Sequence, residues 1–519
     1  MPLECRISNG TFFCEKLSHQ DIIEACQRKL KVAPTPLFVY SKAQIVKNIR
    51  MYLDALKLLD CESQLNYAVK ANPNFSLLRL IRSQGASATL ISGNEIRLAL
   101  EAGFEPTLMM YNGGGKCQWE TQLAIEHNLL INVDSLWDLK QTLDICRNGF
   151  PETRTARLLL RINLNIDSSV HNFVNTGKAD SKFGLSEKES EACLELLEQP
   201  GCPAELVGLH SHLGSTIYQS DVFRLSLERL LEYRSKLVSR GFIKVSLINI
   251  GGGLGIDYKL LEFETKAWQS ESEDNKKNIL QLKEFLLNLE EDQTDGCSRK
   301  NILSSLSAYV NESIAFEDLR LATTVFLSTN KHLGSKVDQI CSSLTVPKPV
   351  HATPLDLIQS VSDLLKGKDV KLIIEPGRSI VANSSAVIAR ILGCKQSSEK
   401  RFIILDVSMT EIIRPCLYGA YHHVTILNNS DSSNKMEKKV FNVVGPVCES
   451  SDFLAQIRML PDTCEGYAII HDVGAYCYSM ASNYNVRMRP AEVLVDGHDC
   501  ILIRRPDTYE DFMAPYKEI

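Results

Sequence analysis

The sequence predicts an α/β chain: a (β/α)8 TIM-like barrel followed by a C-terminal all-β domain. Two observations carry that prediction. Short β-branched runs alternate with stretches of helical apolar spacing through the first three-quarters of the chain, the pattern of a parallel sheet, and eight such units close a barrel. After residue 385 the helical stretches thin out, and strands separated by turn residues take over.

The runs are TPLFVYS (35–41), QLNYAVK (64–70), ATLIS (88–92), TLMMYN (107–112), LLINVDS (129–135), RLLLRIN (157–163), ELVGLHS (205–211), KVSLINI (244–250) and VKLIIEP (370–376). That is one more than a barrel needs, so the first is expected to belong, with residues 1–42, to the β domain. The barrel then occupies 43–385 and the β domain 386–519, with strands at RFIILDVS, KVFNVV, GYAIIHD and EVLVDG. Residues from about 259 to 346 interrupt the alternation with charged ESEDNKKN, amphipathic ILQLKEFLLNLEED and polar DQTDGCSRKN. They read as an insertion packed on the barrel surface, the alternative being a regulatory or partner-binding element.

Composition excludes several classes. The chain has 519 residues, 44% hydrophobic and 23% charged, with a net charge of -6. No basic run suits nucleic acid, and no apolar stretch approaches the roughly 20 residues that span a bilayer. The first residues lack the apolar core of a signal peptide and the Arg/Ser bias of a transit peptide. A cytoplasmic location is expected, or the plastid stroma had a presequence been removed. The 16 cysteines are scattered without a Cys-x-x-Cys pair, which points to free thiols in a reducing compartment and to no metal site.

Chemistry-bearing residues gather at the C-terminal ends of four predicted strands, where barrel sites are built. They are Lys70, HSHLGS (210–215), GGGLG (251–255) and EPGR (375–378). A strand-end lysine before the breaker Asn72-Pro73-Asn74 is commonly a snorkelling surface residue. At a barrel mouth it has a second use, as an amine that forms a Schiff base with an aldehyde cofactor. The GGGLG loop departs from the dinucleotide fingerprint, since the sixth position from Gly251 is Ile256, and it lacks a Walker Lys-Ser/Thr. Its glycines suit one phosphate, as on pyridoxal 5'-phosphate. Glu375 is placed to keep that cofactor's pyridine nitrogen protonated. His212 is expected to stack on the ring, with His210 as the substitute; the ordinary alternative is a satisfied core histidine.

The segments YAVKANPN, SGNE, HSHLGS, NIGGGLGIDY, IIEPGRSIVA, IRPCLYGAY, GPVCESSDFLA and GAYCYSMASNYNVRMRPAEV resemble the motifs of the diaminopimelate decarboxylases. These are alanine-racemase-like, fold-type III pyridoxal phosphate decarboxylases, and the likeness is to their plant-type branch. It spans nearly the whole chain outside the insertion. One position departs: many relatives carry aspartate three residues before the serine of the SGNE-like motif, where this chain has Thr89.

The resemblance implies decarboxylation of meso-2,6-diaminopimelate to L-lysine, the last step of lysine biosynthesis, with pyridoxal 5'-phosphate held on Lys70. It assigns Ser215, Gly252, Gly253 and the segment Glu375, Gly377, Arg378 to the cofactor cradle, and Tyr476 to the phosphate and substrate. The family's site lies at a dimer interface, so an obligate homodimer is expected, with Cys448 and Glu449 reaching across. Cys448 is then the proton donor to the carbon that loses CO2. The distal end of the substrate is a zwitterion: Arg414, Tyr418 and Arg378 would hold its carboxylate and Glu449 its ammonium. Relatives that hold only a distal ammonium carry aspartate after the cysteine, whereas this chain has CESSD. The competing readings are a lysine, ornithine or arginine decarboxylase, an alanine racemase (disfavoured because Glu375 stands where racemases place arginine) and a non-catalytic homologue that binds partners.

Overall fold

The computed structural model describes residues 4–517, apart from 9, 152–153, 167–180, 259–350 (Glu284 and Leu303 excepted), 399 and 428–436. The insertion expected at about 259–346 falls outside the described residues. The chain divides into two compact units, one of residues 43–256 and 351–382, the other holding residues 1–42 and 383–519 together with Asp257 and Tyr258. No helix among the described residues is long and apolar enough to cross a membrane.

The first unit is a closed parallel barrel. Its strands are β1 (Glu62–Ala68), β2 (Ser87–Leu90), β3 (Met110–Tyr111), β4 (Leu130–Val133), β5 (Ala156–Arg161), β6 (Ala204–His210), β7 (Leu247–Asn249) and β8 (Lys371–Ile374). Each lies within one of the eight runs after the first, give or take two residues. The barrel closes where β8 pairs with β1, Lys371 opposite Glu62. Met110, Leu130, Leu159 and Ile373 fill the interior, a packed plug that forces any site to the strand ends.

The helices outside start where the sequence supplies a cap. Asn74, Ser92, Ser135, Ser186 and Thr353 each accept backbone N–H bonds at the head of a helix, satisfying donors that the helix itself cannot. The helix Lys42–Leu56 carries a polar row at four-residue spacing. Gln44 donates to Asn48 (2.8 Å), Asn48 to the Ile380 carbonyl (2.8 Å), and the Tyr52 hydroxyl meets Ser379 (2.6 Å). These side chains share one helix face, and they clamp the short helix Arg378–Val381 that follows β8.

In the second unit the strand Ser385–Gln396 is the spine, pairing antiparallel with Leu37–Ser41, Arg401–Leu405 and Tyr467–His471. Leu37–Ser41 also pairs in parallel with Ala491–Asp496, so the run at 35–41 is a strand of this sheet and not of the barrel. Its core holds Phe12, Ile22, Leu37, Val39, Ile388, Ile469 and Val493. The unit is sheet-rich, with a small three-stranded N-terminal sheet and short helices such as His19–Glu24 and Tyr509–Lys517.

Candidate active site

Lys70 stands at the barrel mouth on a turn. β1 ends at Ala68, two residues before the end of the run, because the backbone turns through the 3-10 segment Val69–Ala71. That turn is fixed from several sides. Ala68 N–H donates to the Pro376 carbonyl at 3.1 Å, and Asn72 N–H to Val69 at 3.1 Å. The buried Tyr67 hydroxyl donates to the Asn72 carbonyl at 3.0 Å. Asn72 and Asn74 then cap the following residues, Asn74 N–H bonding the Asn72 side chain at 3.1 Å. Val69 and Ala71 are buried while Lys70 is exposed, so a rigid backbone presents a mobile amine.

A buried polar layer crosses the same end of the barrel. Thr89, Asn112, Asn132, Arg161, His210, Asn249 and Glu375, at or near seven successive strand ends, are all buried. Glu375 is the centre. Thr89 Oγ1 (2.8 Å) and Asn249 Nδ2 (2.9 Å) donate to its Oε1. Asn112 Nδ2 lies 3.3 Å and His210 Nε2 3.4 Å from its Oε2. Burial alone would raise this carboxyl, but its contacts with His210, Asn249 and Thr89 outweigh it and bring the pKa down to about 2. Glu375 is therefore ionised throughout the physiological range.

Both histidines are held below their ordinary pKa. Burial lowers His210 despite the Glu375 carboxylate, and the Asn132 amide 2.6 Å from Nδ1 assigns the ring proton to Nε2. Burial first, then the Lys70 and Arg161 charges, hold His212 well below its usual range. Its Nδ1 accepts the Gly252 N–H at 3.3 Å. His210 thus lies beside Glu375, while His212, the residue expected to stack on the ring, sits against the glycine loop.

The GGGLG loop is glycine because other backbones press on it. A Cβ on Gly252 would lie 2.0 Å from the Glu375 carbonyl oxygen, and one on Gly253 2.1 Å from that of Gly214. Gly251 N–H donates to Asn249 Oδ1 at 2.7 Å, and its carbonyl accepts the Glu375 N–H at 2.8 Å, so loop and carboxylate are built as one piece. Arg378 is buried and donates to Ser215 Oγ from Nη2 (3.0 Å) and Nε (3.3 Å). A Cβ on Gly377 would meet those of Ala71 and Ala68 at 3.0 and 3.1 Å. Gly252→Ala is expected to lower stability by about 1–3 kcal/mol or more, the usual cost of overpacking against atoms that cannot move aside. Gly115→Ala, whose Cβ meets nothing within 4 Å, should stay within about 0.5 kcal/mol of the parent. Denaturation midpoints of the two variants check this.

The second unit holds the remaining candidates. Arg414 and Tyr418 open and close the helix Arg414–Tyr418. Arg414 is buried, donates from Nη1 to His422 Nε2 at 2.7 Å, and stacks 4.8 Å over the Tyr258 ring. Its Nε is buried without a hydrogen-bond partner among the described residues. Tyr418 is half-buried, and Cys448 and Glu449 are exposed. Cys448 N–H is held by Asn485 at 2.9 Å, and Glu449 accepts from Ser451 at 3.2 Å. Tyr476 is half-buried and takes a left-handed backbone, φ 58°.

The pyridoxal-dependent decarboxylase family, by its pyridoxal binding domain, matches residues 42–283. A rice (Oryza sativa subsp. japonica) protein named as a probable chloroplastic diaminopimelate decarboxylase is 36% identical over 516 residues, covering 99% of this chain and 85% of its own. The chain belongs to the diaminopimelate decarboxylase family. A diaminopimelate decarboxylase of Aquifex aeolicus is 30% identical, covering 98% of this chain and 97% of its own. Among solved structures, diaminopimelate decarboxylase from M. jannaschii in complex with L-lysine superposes with a TM-score of 0.73 at 27% identity, covering 99% of this chain and 97% of its own.

Beside the motif residues that mark a diaminopimelate decarboxylase, the barrel layer brings in Asn112, Asn132, Arg161 and Asn249, which sequence reasoning does not single out. A signal exists: in MMYN, LINVDS, LLLRIN and LINI the run turns polar near its C-terminal end. In a barrel those ends converge, so a recurrent polar residue there marks a site floor.

Proposed function

We propose that this chain decarboxylates meso-2,6-diaminopimelate to L-lysine and CO2, using pyridoxal 5'-phosphate and working as a homodimer. The observation that carries the proposal is Glu375, a buried and ionised carboxylate held at the end of β8, on the barrel mouth that also presents Lys70. When bound, the cofactor supplies an aldehyde for amine exchange and an electron sink for the charge left as CO2 departs.

The residues divide the remaining work. The exposed Lys70 amine would hold the cofactor between turnovers, free to exchange with the substrate amine. Glu375 keeps a proton on the pyridine nitrogen, because an ionised acceptor stabilises the cationic ring. His212, held well below its usual pKa by burial, would offer its ring face to the cofactor without adding charge beside that proton. Arg378, Ser215 and the backbone around Gly252 and Gly253 suit a phosphate dianion, with Tyr476 as a further donor. Arg414 Nε, buried without a hydrogen-bond partner among the described residues, would pair with a substrate carboxylate, with Tyr418 as a second contact. The exposed Cys448 and Glu449 would complete the site of a second copy, Cys448 Sγ as the proton donor to the carbon that loses CO2 and Glu449 as the partner of the distal ammonium.

The test is CO2 release from meso-diaminopimelate beside lysine, ornithine and arginine at equal concentration. Preference for diaminopimelate by at least about 10³-fold in kcat/KM is expected, since buried groups built to pair a substrate group reject analogues that lack it. Preference for ornithine, arginine or lysine would overturn the assignment.

A further inference from the structure

We propose that Thr89 is a positioning residue: its hydroxyl pins one oxygen of Glu375, Oε1, so that the other, Oε2, faces the pyridine nitrogen. This rests on the function proposed above. The geometry is asymmetric. Oε1 takes the two short bonds, from Thr89 at 2.8 Å and Asn249 at 2.9 Å. Oε2 has only the long contacts, from Asn112 at 3.3 Å and His210 at 3.4 Å. A carboxylate oxygen offers about two acceptor sites, so Oε1 is filled and Oε2 keeps room for one good donor.

Thr89 is suited to hold that arrangement. It lies on β2, 3% exposed, and a β-branched side chain in a strand has little χ1 freedom, which fixes the hydroxyl. Its β-ladder partner is Ala68, the last residue of β1 before the turn that carries Lys70. One backbone register therefore places both the hydroxyl that orients Glu375 and the amine that tethers the cofactor. A hydroxyl also donates without adding charge, whereas an acid here would set a second carboxylate against Glu375 and make the two share a proton. Among the described residues, the charged or titratable groups that interact with Glu375 include His210 on β6, Arg161 on β5 and His212 at the mouth.

Three proteins decide the matter: the full chain loaded with pyridoxal phosphate, Thr89→Val and Thr89→Ser. For Thr89→Val, kcat is expected to fall about tenfold with little change in KM, the effect of one bond to a charged group. Losing a donor to the ionised form raises the Glu375 pKa. The acid limb of kcat, and the pH at which the bound cofactor's absorbance changes, should both move upward by about one unit. Thr89→Ser should restore most of each effect. If Thr89→Val loses stability but leaves the spectral titration and pH profile in place, or if serine behaves like valine, the positioning role is overturned while the decarboxylase reading stands. If the parent protein gains no cofactor absorbance and releases no CO2, both fall.

Discussion

Lys70→Ala is expected to lower CO2 release by about 10³-fold or more, because the amine that would tether the cofactor and exchange with the substrate amine is lost, and to abolish the long-wavelength absorbance of tethered cofactor. The fold should survive the change. The Lys70 side chain is exposed, and the turn that carries it is held by backbone bonds from Ala68 to Pro376 and from Asn72 to Val69 and by the buried Tyr67 hydroxyl. None of these uses the lysine side chain, so the denaturation midpoint should stay close to that of the parent. A variant that keeps turnover would show that the amine at this mouth is incidental. A variant that unfolds would show that the turn depends on the lysine after all.

Glu375→Gln should be nearly as damaging, for a different reason. Three neighbours donate to Glu375, namely Thr89, Asn249 and Asn112, and His210 Nε2 lies 3.4 Å from its Oε2. An amide turns one acceptor into a donor and leaves N–H facing N–H or O–H. Turnover should drop by about 10²-fold or more, because a neutral amide no longer stabilises the protonated pyridine nitrogen. Stability should fall too, and with a defined pH dependence. The carboxyl is depressed from 4.5 to about 2, so its ionisation stabilises the fold above its unfolded value, and this contribution is lost as pH falls through the folded value. The difference between parent and Glu375→Gln, on the order of 3 kcal/mol near neutrality, should shrink toward pH 2. A pH-independent difference in denaturation midpoint would contradict the pairing seen around Glu375.

Much of this was readable in the residues, and the exceptions have physical causes. Each barrel strand announces itself as a short apolar run, because a parallel strand is buried on both faces. The helices between are marked by caps such as Ser92 and Thr353. The spine strand Ser385–Gln396 is not marked: it follows EPGR without a turn signal, and SAVIARILG fits helix and strand periods alike. The N-terminal strands Cys5–Ser8 and Thr11–Cys14 are only four residues long, too short to show a period. At the site, Lys70, Glu375 and the glycine loop stand out because each is an unusual residue for its local context. Asn112, Asn132 and Asn249 do not, since an asparagine after a strand is an ordinary turn residue. Their role exists only once eight strand ends converge, which is a property of tertiary structure. Arg414 is the reverse case. Its pattern suggests a fork offered to a ligand, and the fold buries it over Tyr258 with Nη1 committed to His422, leaving Nε without a hydrogen-bond partner among the described residues.

A second lysine near the barrel mouth sharpens the central test. Lys116 is fully buried and paired with Asp138 at 2.5 Å, and it donates to the carbonyls of Gly113 and Asn132 at 2.7 and 2.8 Å. Its three donors are spent, so it should be unable to take an aldehyde. Borohydride fixes a lysine-tethered aldehyde irreversibly to its lysine, and the labelled peptide can then be isolated and sequenced. Label confined to Lys70, within QLNYAVKANPN, is the expected result. Label on Lys116 or on another lysine, or none at all, would contradict the placement of the chemistry at the end of β1.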